Sequence, residues 1–274
     1  MEVRNKKFIA ELGKKPRLRK ESGLYIIDGP KMAGEIDPED VEEIFVTEDF
    51  LSSPHLRECE RLLREKPYSV IGPSEMKRLS DTVTPQGILV VARQKRYKGI
   101  GGFMEEVLSY GKNLNVEPFM LILETLQDPG NLGTIIRAGE AAGVTGIIAD
   151  ELTVDLYSPK VVRSTMGAIL RLPYYTVADL KKTVSSLKNG DHTGGAGLKV
   201  YAARLDGAVE YYKADFKCPC AVMIGNESRG LSTELSDTAD KGIVIPMPGR
   251  TESLNAAVAA AVICFEAARQ RTGR

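Results

Sequence analysis

The chain has 274 residues, 43% hydrophobic and 27% charged, with a formal net charge of zero. That length allows two domains with separate cores, and the composition is globular, neither disordered nor membranous. No apolar run approaches the ~18 residues needed to cross a bilayer, and balanced charge excludes nucleic-acid binding by bulk electrostatics while permitting a local patch.

Residues 1–20 form such a patch: Arg4, Lys6, Lys7, Lys14, Lys15, Arg17, Arg19 and Lys20 stand against only Glu2 and Glu11. On charge alone they read as a solvated helix. The segment has no apolar secretory stretch, so a cytoplasmic protein without a membrane partner is expected. The runs LYIID, EEIFVT, YSVIG and GILVVA then alternate with polar helical stretches, which predicts a small α/β domain over 1–97. RQKRYKGIGG, a short amphipathic piece and KNLNVEP separate two halves near residues 93–117, with the linker between the domains placed at 98–116. Beyond it, FMLILE, GIIAD, KVYAA, CAVMIG and GIVIPM recur at helix-length intervals. Near-continuous apolar strands with helical crossovers predict a mainly parallel sheet covered on both faces, in a domain spanning 117–274. NGDHTGGAG (189–197) reads as a surface loop.

Metal and nucleophile chemistry find little support. Cys218 and Cys220 are spaced C-x-C with no second pair and no nearby His; Cys59 and Cys264 are isolated. His55 and His192 stand alone in polar stretches. There is no G-x-x-x-x-G-K-[ST] loop, and the glycines at 99–102 do not follow a strand. No metal is expected.

Three segments hold the chemistry: DPGNLGTIIRAGEAAG (128–143), VMIGNESRGLS (222–232) and IPMPGRTESLNAAVAAA (245–261). Each lies at the end of a strand-like run, where ligands bind in open α/β sheets, so the three predict one pocket built from three loops. Asn131 reads as the cap of the helix after the first strand, with Arg137 two turns in. Glu227 follows directly on a buried strand that ends at Gly225. Ser253 reads as the N-cap of the last helix, where Leu254, Val258, Val262 and Phe265 recur at helical spacing as a core face. The small residues of 256–261 allow a close helix approach.

In this order, with SLN in the third, the segments resemble the signature motifs of the SpoU (TrmH-like) family of RNA 2′-O-ribose methyltransferases, in the SPOUT superfamily. DLYSPKVVRSTMGAILRLP (155–173) resembles the family's stretch between its first two motifs. KPRLRKESGLYIIDGPKM (15–32) and TPQGILVVA (84–92) are similar to its substrate-binding domain, whose fold is like ribosomal protein L30e. The resemblance implies an α/β chain: a C-terminal SPOUT domain whose parallel sheet carries a deep trefoil knot, behind a small L30e-like domain. It implies S-adenosylmethionine held by Gly225, Ile245 and Leu254 with Met247 nearby. The reaction site would comprise Asn131, Arg137, Glu227, Ser253 and Asn255, in a homodimer. Lys14, Lys15, Arg17, Arg19 and Lys20 become RNA phosphate contacts. Ribosomal RNA is preferred over tRNA because of the first domain; the alternative class is a non-catalytic RNA-binding or ribosome-assembly factor. Two departures from the family pattern are Ala138-Gly139 for Thr-Ala and Asp28-Gly29 for Glu-Gly. Because a guanidinium is a poor base, Arg137 is expected to hold phosphate and stabilise alkoxide charge, oriented by Asn131 and Glu227.

Overall fold

A computed structural model describes residues 6–192, 195, 197–206 and 209–272; Arg4 and part of the 189–197 loop lie outside them. The chain forms two compact units. One runs to Arg96 and includes Asp155–Leu170; the other comprises Tyr97–Val154 and the residues from Arg171 onward. In chain order the elements are α1 (Lys6–Lys14), α2 (Pro16–Ser22), β1 (Leu24–Asp28), α3 (Pro30–Glu35), β2 (Val41–Val46), α4 (Glu48–Leu51), α5 (Leu56–Glu65), β3 (Ser69–Val70), α6 (Pro73–Leu79) and β4 (Ile88–Arg93). There follow α7 (Gly99–Leu114), β5 (Phe119–Leu123), α8 (Pro129–Ala141), β6 (Gly146–Asp150), α9 (Pro159–Ser164), α10 (Ala168–Arg171), β7 (Tyr174–Val177) and α11 (Leu180–Asn189). The last are β8 (Lys199–Ala203), β9 (Val209–Glu210), β10 (Cys220–Ile224), α12 (Thr233–Ser236), β11 (Lys241–Val244) and α13 (Ala256–Thr272).

The first unit is a four-stranded sheet in the order β1-β4-β2-β3, antiparallel except for the last pair. Ile9 and Leu12 of α1 and Met76 and Leu79 of α6 pack with Leu24, Ile26, Phe45, Leu89 and Val91 of the strands. Within this unit Arg19 is 3% exposed. Its Nη1 donates to Leu12 O (2.6 Å) and Gly13 O (3.2 Å), and its Nε and Nη2 both meet Asp155 Oδ2 at 2.7 Å. Asp155 thereby ties the inserted segment to the turn between α1 and α2. The Tyr157 ring, 4.8 Å from that of Tyr25, adds apolar contact. Arg19 is therefore a structural cation, buried and engaged through all three guanidinium nitrogens, a correction to its expected place on RNA phosphate.

The second unit is built on seven parallel strands in the order β7-β6-β5-β10-β8-β11-β9. The central strands β5 and β10 are buried along their whole length. On one face Phe103, Met104 and Val107 of α7, Val184 and Leu187 of α11 and Leu235 of α12 pack with Met120, Ile122, Ile148, Val200 and Met223. α8 covers the other face, where a Cβ on Gly139 would touch Leu121 at 3.6 Å, and α13 packs on α8. Residues 98–116, read as a linker, thus carry a sixteen-residue helix whose apolar side fills this core. The short edge strands β7 and β9 escaped the sequence reading. Among the described residues no helix is long and apolar enough to cross a membrane, and no His, Cys, Asp and Glu converge as a metal site.

Replacing Arg19 by Met should cost about 2–4 kcal/mol in urea unfolding, because it leaves Asp155 without its partner and two buried carbonyls without donors. A loss below about 0.5 kcal/mol would contradict this structural role.

Candidate active site

The three loops lie at the carboxyl ends of β5, β10 and β11 and are stitched to one another by hydrogen bonds. α8 starts where Asp128 accepts from the Asn131 amide (2.8 Å) with Pro129 at the first helical position, where a missing N–H is harmless. Asp128, not Asn131, is therefore the cap, and the Asn131 side chain is left for tertiary contacts. After β10, Asn226 Oδ1 accepts from the Ser228 and Arg229 amides while its Nδ2 donates to Thr125 O (2.7 Å), joining this loop to the one after β5. The turn closes between Gly225 and Gly230: a Cβ on Gly225 would collide with the Gly230–Leu231 backbone, and Gly230 holds φ 69°. Glu124, the first residue past β5, accepts from the Ser232 amide (2.7 Å) and hydroxyl (2.6 Å), and Ser232 Oγ in turn caps α12.

Glu227 is the hub. Its Oε1 accepts from Asn131 Nδ2 (3.0 Å) and the Asp128 amide (3.2 Å), and its Oε2 from the Gln127 amide (3.3 Å). Asn131 Oδ1 then accepts from Asn255 Nδ2 (2.9 Å). Asn255 Oδ1 accepts from the Ala257 amide (2.9 Å) and the Val258 amide (3.3 Å), which makes Asn255 the cap of α13 in place of Ser253. One relay, Glu227–Asn131–Asn255, thus joins all three loops.

Beside it lies a cavity of about 650 Å³, within the range of small-molecule sites. Gly225, Glu227, Ile245, Met247, Ser253 and Leu254 line it together with Ile224, Ile243 and Ile263. Arg204 and Asp206 after β8, and Thr233, Ser236 and Asp237 at α12, complete the wall. Arg204 is anchored by Nε to Asp206 O (3.0 Å). Arg137 is exposed on α8, is not among the lining residues, and has no hydrogen bond or ion pair among the described residues. The expected orientation of Arg137 by Asn131 and Glu227 is accordingly not formed; those two groups hold each other and Asn255.

The comparisons with known proteins agree with this geometry. Residues 118–265 match the SpoU rRNA Methylase family, and residues 5–90 match the MRM3-like substrate binding domain. The chain belongs to the SpoU rRNA methylase family. It is 29% identical over 252 residues to the 23S rRNA (guanosine(2553)-2′-O)-methyltransferase RlmP of Bacillus subtilis, covering 90% of this chain and 89% of that one. It is 33% identical over 199 residues to the 23S rRNA (guanosine-2′-O-)-methyltransferase RlmB of Ralstonia nicotianae, covering 67% and 78%. Among solved structures, the SpoU methyltransferase AviRb of Streptomyces viridochromogenes in complex with AdoMet superposes with a TM-score of 0.81 at 25% identity, covering 99% and 100%.

Within this candidate site, the residues missed from sequence are Asp128, Glu124, Asn226, Arg204, Asp206 and the polar residues of α12. Glu124 was within reach: a carboxylate directly after five buried strand residues stands where such sheets place their ligands. Arg204 and Asp206 follow KVYAA, a strand recognised without attention to what comes after it. Exposure also reverses one face of α13. Leu254, Val258 and Phe265 are 37%, 49% and 53% exposed, whereas Ala256, Ala257, Ala260, Ile263 and Cys264 are buried. The apolar stripe read as core faces away from it, and the small residues are the packed side.

Partial burial raises the pKa of Glu227, but donation from Asn131, from its own amide and from the Asp128 and Gln127 amides outweighs it, leaving the carboxyl below its ordinary 4.5. A lowered carboxyl contributes stability that is complete above 4.5 and is lost as pH falls through the lower folded value. Glu227→Gln should therefore unfold about 1–2 kcal/mol more easily than the parent at neutral pH. The gap should close in acid, and a pH-independent gap in urea titrations would contradict the ionised hub.

Proposed function

We propose that this chain transfers the methyl group of S-adenosylmethionine to a ribose 2′-hydroxyl of RNA, with ribosomal RNA as the substrate class. The observation that carries the reading is the Glu227–Asn131–Asn255 relay beside a cavity at the carboxyl ends of the parallel strands. Support for the ribosomal target comes from RlmP and RlmB, both named for 23S rRNA, and from the substrate-binding match over 5–90. Substrate choice falls to the first unit, in the part expected over 1–97, and transfer to the second, in the part expected over 117–274.

The cavity suits an adenosyl sulfonium donor in size and lining. Ile224, Ile243, Ile245, Leu254 and Ile263 offer apolar surface to a purine, and Arg204, Asp206 and Glu227 offer charge to a zwitterionic amino acid. Gly225, Ile245, Met247 and Leu254 would hold it, Gly225 by keeping bare backbone at the wall. When bound, the donor supplies a methyl carbon activated by positive sulfur. What the protein adds is alignment of the attacking oxygen, exclusion of water and stabilisation of the developing negative charge. Arg137, exposed and without a partner among the described residues, is suited to a substrate phosphate and to the alkoxide. Asn131 and Glu227 fix the loop frame, and Ser253 and Asn255 order the third loop where the ribose would enter. In the first unit, Lys14, Lys15, Arg17 and Lys20 are exposed and remain candidates for phosphate contact.

We further infer a deep trefoil knot, a homodimer and a cytoplasmic location, the compartment of the RNA it would act on. The strand order supports the knot: the chain builds β5, β6 and β7 outward, then returns to insert β10 between β5 and β8 and β11 between β8 and β9. The exposed Val258 and Phe265 on α13, next to the cavity-lining Leu254, support a second copy as their cover. A dimer also accounts for Arg137 lying off the cavity of its own chain.

Labelled S-adenosylmethionine should transfer methyl to unmodified ribosomal RNA at a discrete 2′-O position; donor binding without any transfer would favour an assembly factor. Arg137→Ala should lower turnover by roughly 10²–10⁴-fold with donor affinity unchanged, and near-normal turnover would remove its assignment. Val258→Asp with Phe265→Asp should shift the protein to monomers in sedimentation; an unaltered mass would leave the α13 stripe without its proposed cover.

A further inference from the structure

With Arg19 enclosed, α2 keeps Arg17 and Lys20 at its surface, and β4 brings two more cations beside them. Gln94 donates from its amide to Gly23 O (2.8 Å) and from Nε2 to Arg19 O and Leu24 O (3.0 Å each), so the exit of β4 is bound to the last turn of α2. The next two residues, Lys95 and Arg96, are exposed. The Lys95 amide donates to Tyr157 Oη (3.2 Å), whose ring is braced against Tyr25. The Arg96 guanidinium lies directly over Gly23, where a Cβ would collide with its Nη2 and Cζ. Gly23 itself ends α2 at φ 68°, a conformation that costs glycine nothing.

The charges in this neighbourhood are unequally compensated. Arg17 is paired with Glu21 at 2.7 Å and Lys15 with Glu11 at 3.0 Å. Neither the Lys95 ammonium nor the Arg96 guanidinium has a hydrogen bond or ion pair among the described residues. A guanidinium seated on a glycine has its forked donors free to take a phosphate from the open side. We propose that Lys95 and Arg96 form a surface for the RNA phosphate backbone. Arg96 takes there the role that the sequence pattern suggested for Arg19. The proposal rests on the RNA-methyltransferase reading and adds to it two residues from a stretch read as linker and strand end.

The competing role for Arg96 is favourable charge at the C-terminus of α2, which would register in stability and leave RNA affinity untouched. The test is the affinity of the full chain for an unmodified 23S rRNA transcript across a salt series. Its variants are Arg96→Gln, Lys95→Gln, the double variant, the conservative Arg96→Lys, and Lys77→Gln on α6 as a control. Each Gln variant should weaken binding about 3–10-fold and reduce the salt slope by roughly 0.7–1, with the double variant reducing it about twice as far. Arg96→Lys should recover most of the slope, and Lys77→Gln should match the parent. Affinity for S-adenosylhomocysteine and the unfolding midpoint should stay constant throughout. Parental affinity and slope in the double variant would overturn this surface alone. A parent that binds S-adenosylhomocysteine but no RNA would overturn the surface and the RNA reading together.

Discussion

The carboxylate of Glu227 is the constraint on which the site depends. Three loops that follow three different strands have no covalent reason to share a conformation, and ordering each residue costs about 1–2 kcal/mol of backbone entropy. Glu227 offsets part of that cost by collecting the Gln127 and Asp128 backbone amides and the Asn131 side-chain Nδ2 on one group. Because Asn131 uses its other end for Asn255, the order imposed on the first two loops passes to the third and to the start of α13. Asn226 with Thr125 O, and Glu124 with Ser232, repeat the connection between the first two loops, and the third is tied to them through Asn255.

The sheet decides where this happens. Parallel strands send all their carboxyl ends to one edge, and β10 lies between β5 and β8, which puts the second loop beside the first although about a hundred residues separate them. Both faces of β5 and β10 are covered, so these strands read as unbroken apolar runs. The chain then changes character within one or two residues of each strand end: Leu123 to Glu124, Ile224 to Gly225-Asn226. That abruptness is the sequence mark of a site at the edge of a buried sheet.

For the same reason the central strands and the three loops were legible, while other features were not. α7 begins Gly-Ile-Gly-Gly, and glycines at a helix start argue locally for a loop; its burial of Phe103, Met104 and Val107 overrides that preference. α13 offers two sides, a large-residue stripe and an alanine side, and hydrophobicity alone picks the stripe. Close packing on α8 selects the alanines. Ser253 and Asn255 are both good caps two residues apart, and only where the helix starts, with the Ala257 and Val258 amides donating to Asn255, distinguishes them. Arg19 looks like its neighbours in the basic run. Nothing in the run announces Asp155, which lies 136 residues away and returns from the middle of the chain to meet it.

The fate of the proton follows from the same inventory. On the proposed reading the 2′-hydroxyl must lose one, yet Glu227, Arg137, Asn131, Asn255 and Ser253 are each unsuited to receive it. Glu227 is held below the ordinary carboxyl value by the donors it accepts from, so as a base it is weak and already engaged. The guanidinium of Arg137 carries donors only and has no acceptor site for a proton. The amides of Asn131 and Asn255 and the hydroxyl of Ser253 have no useful basicity near neutrality. On that reading these five residues contribute geometry and electrostatics, lowering the energy of a developing alkoxide without taking its proton. That leaves solvent at the edge of the cavity, the phosphate of the RNA itself, or a wall carboxylate such as Asp206 or Asp237 as the acceptor. A site of this kind gains most from rigid loops, which is what the Glu227 hub supplies.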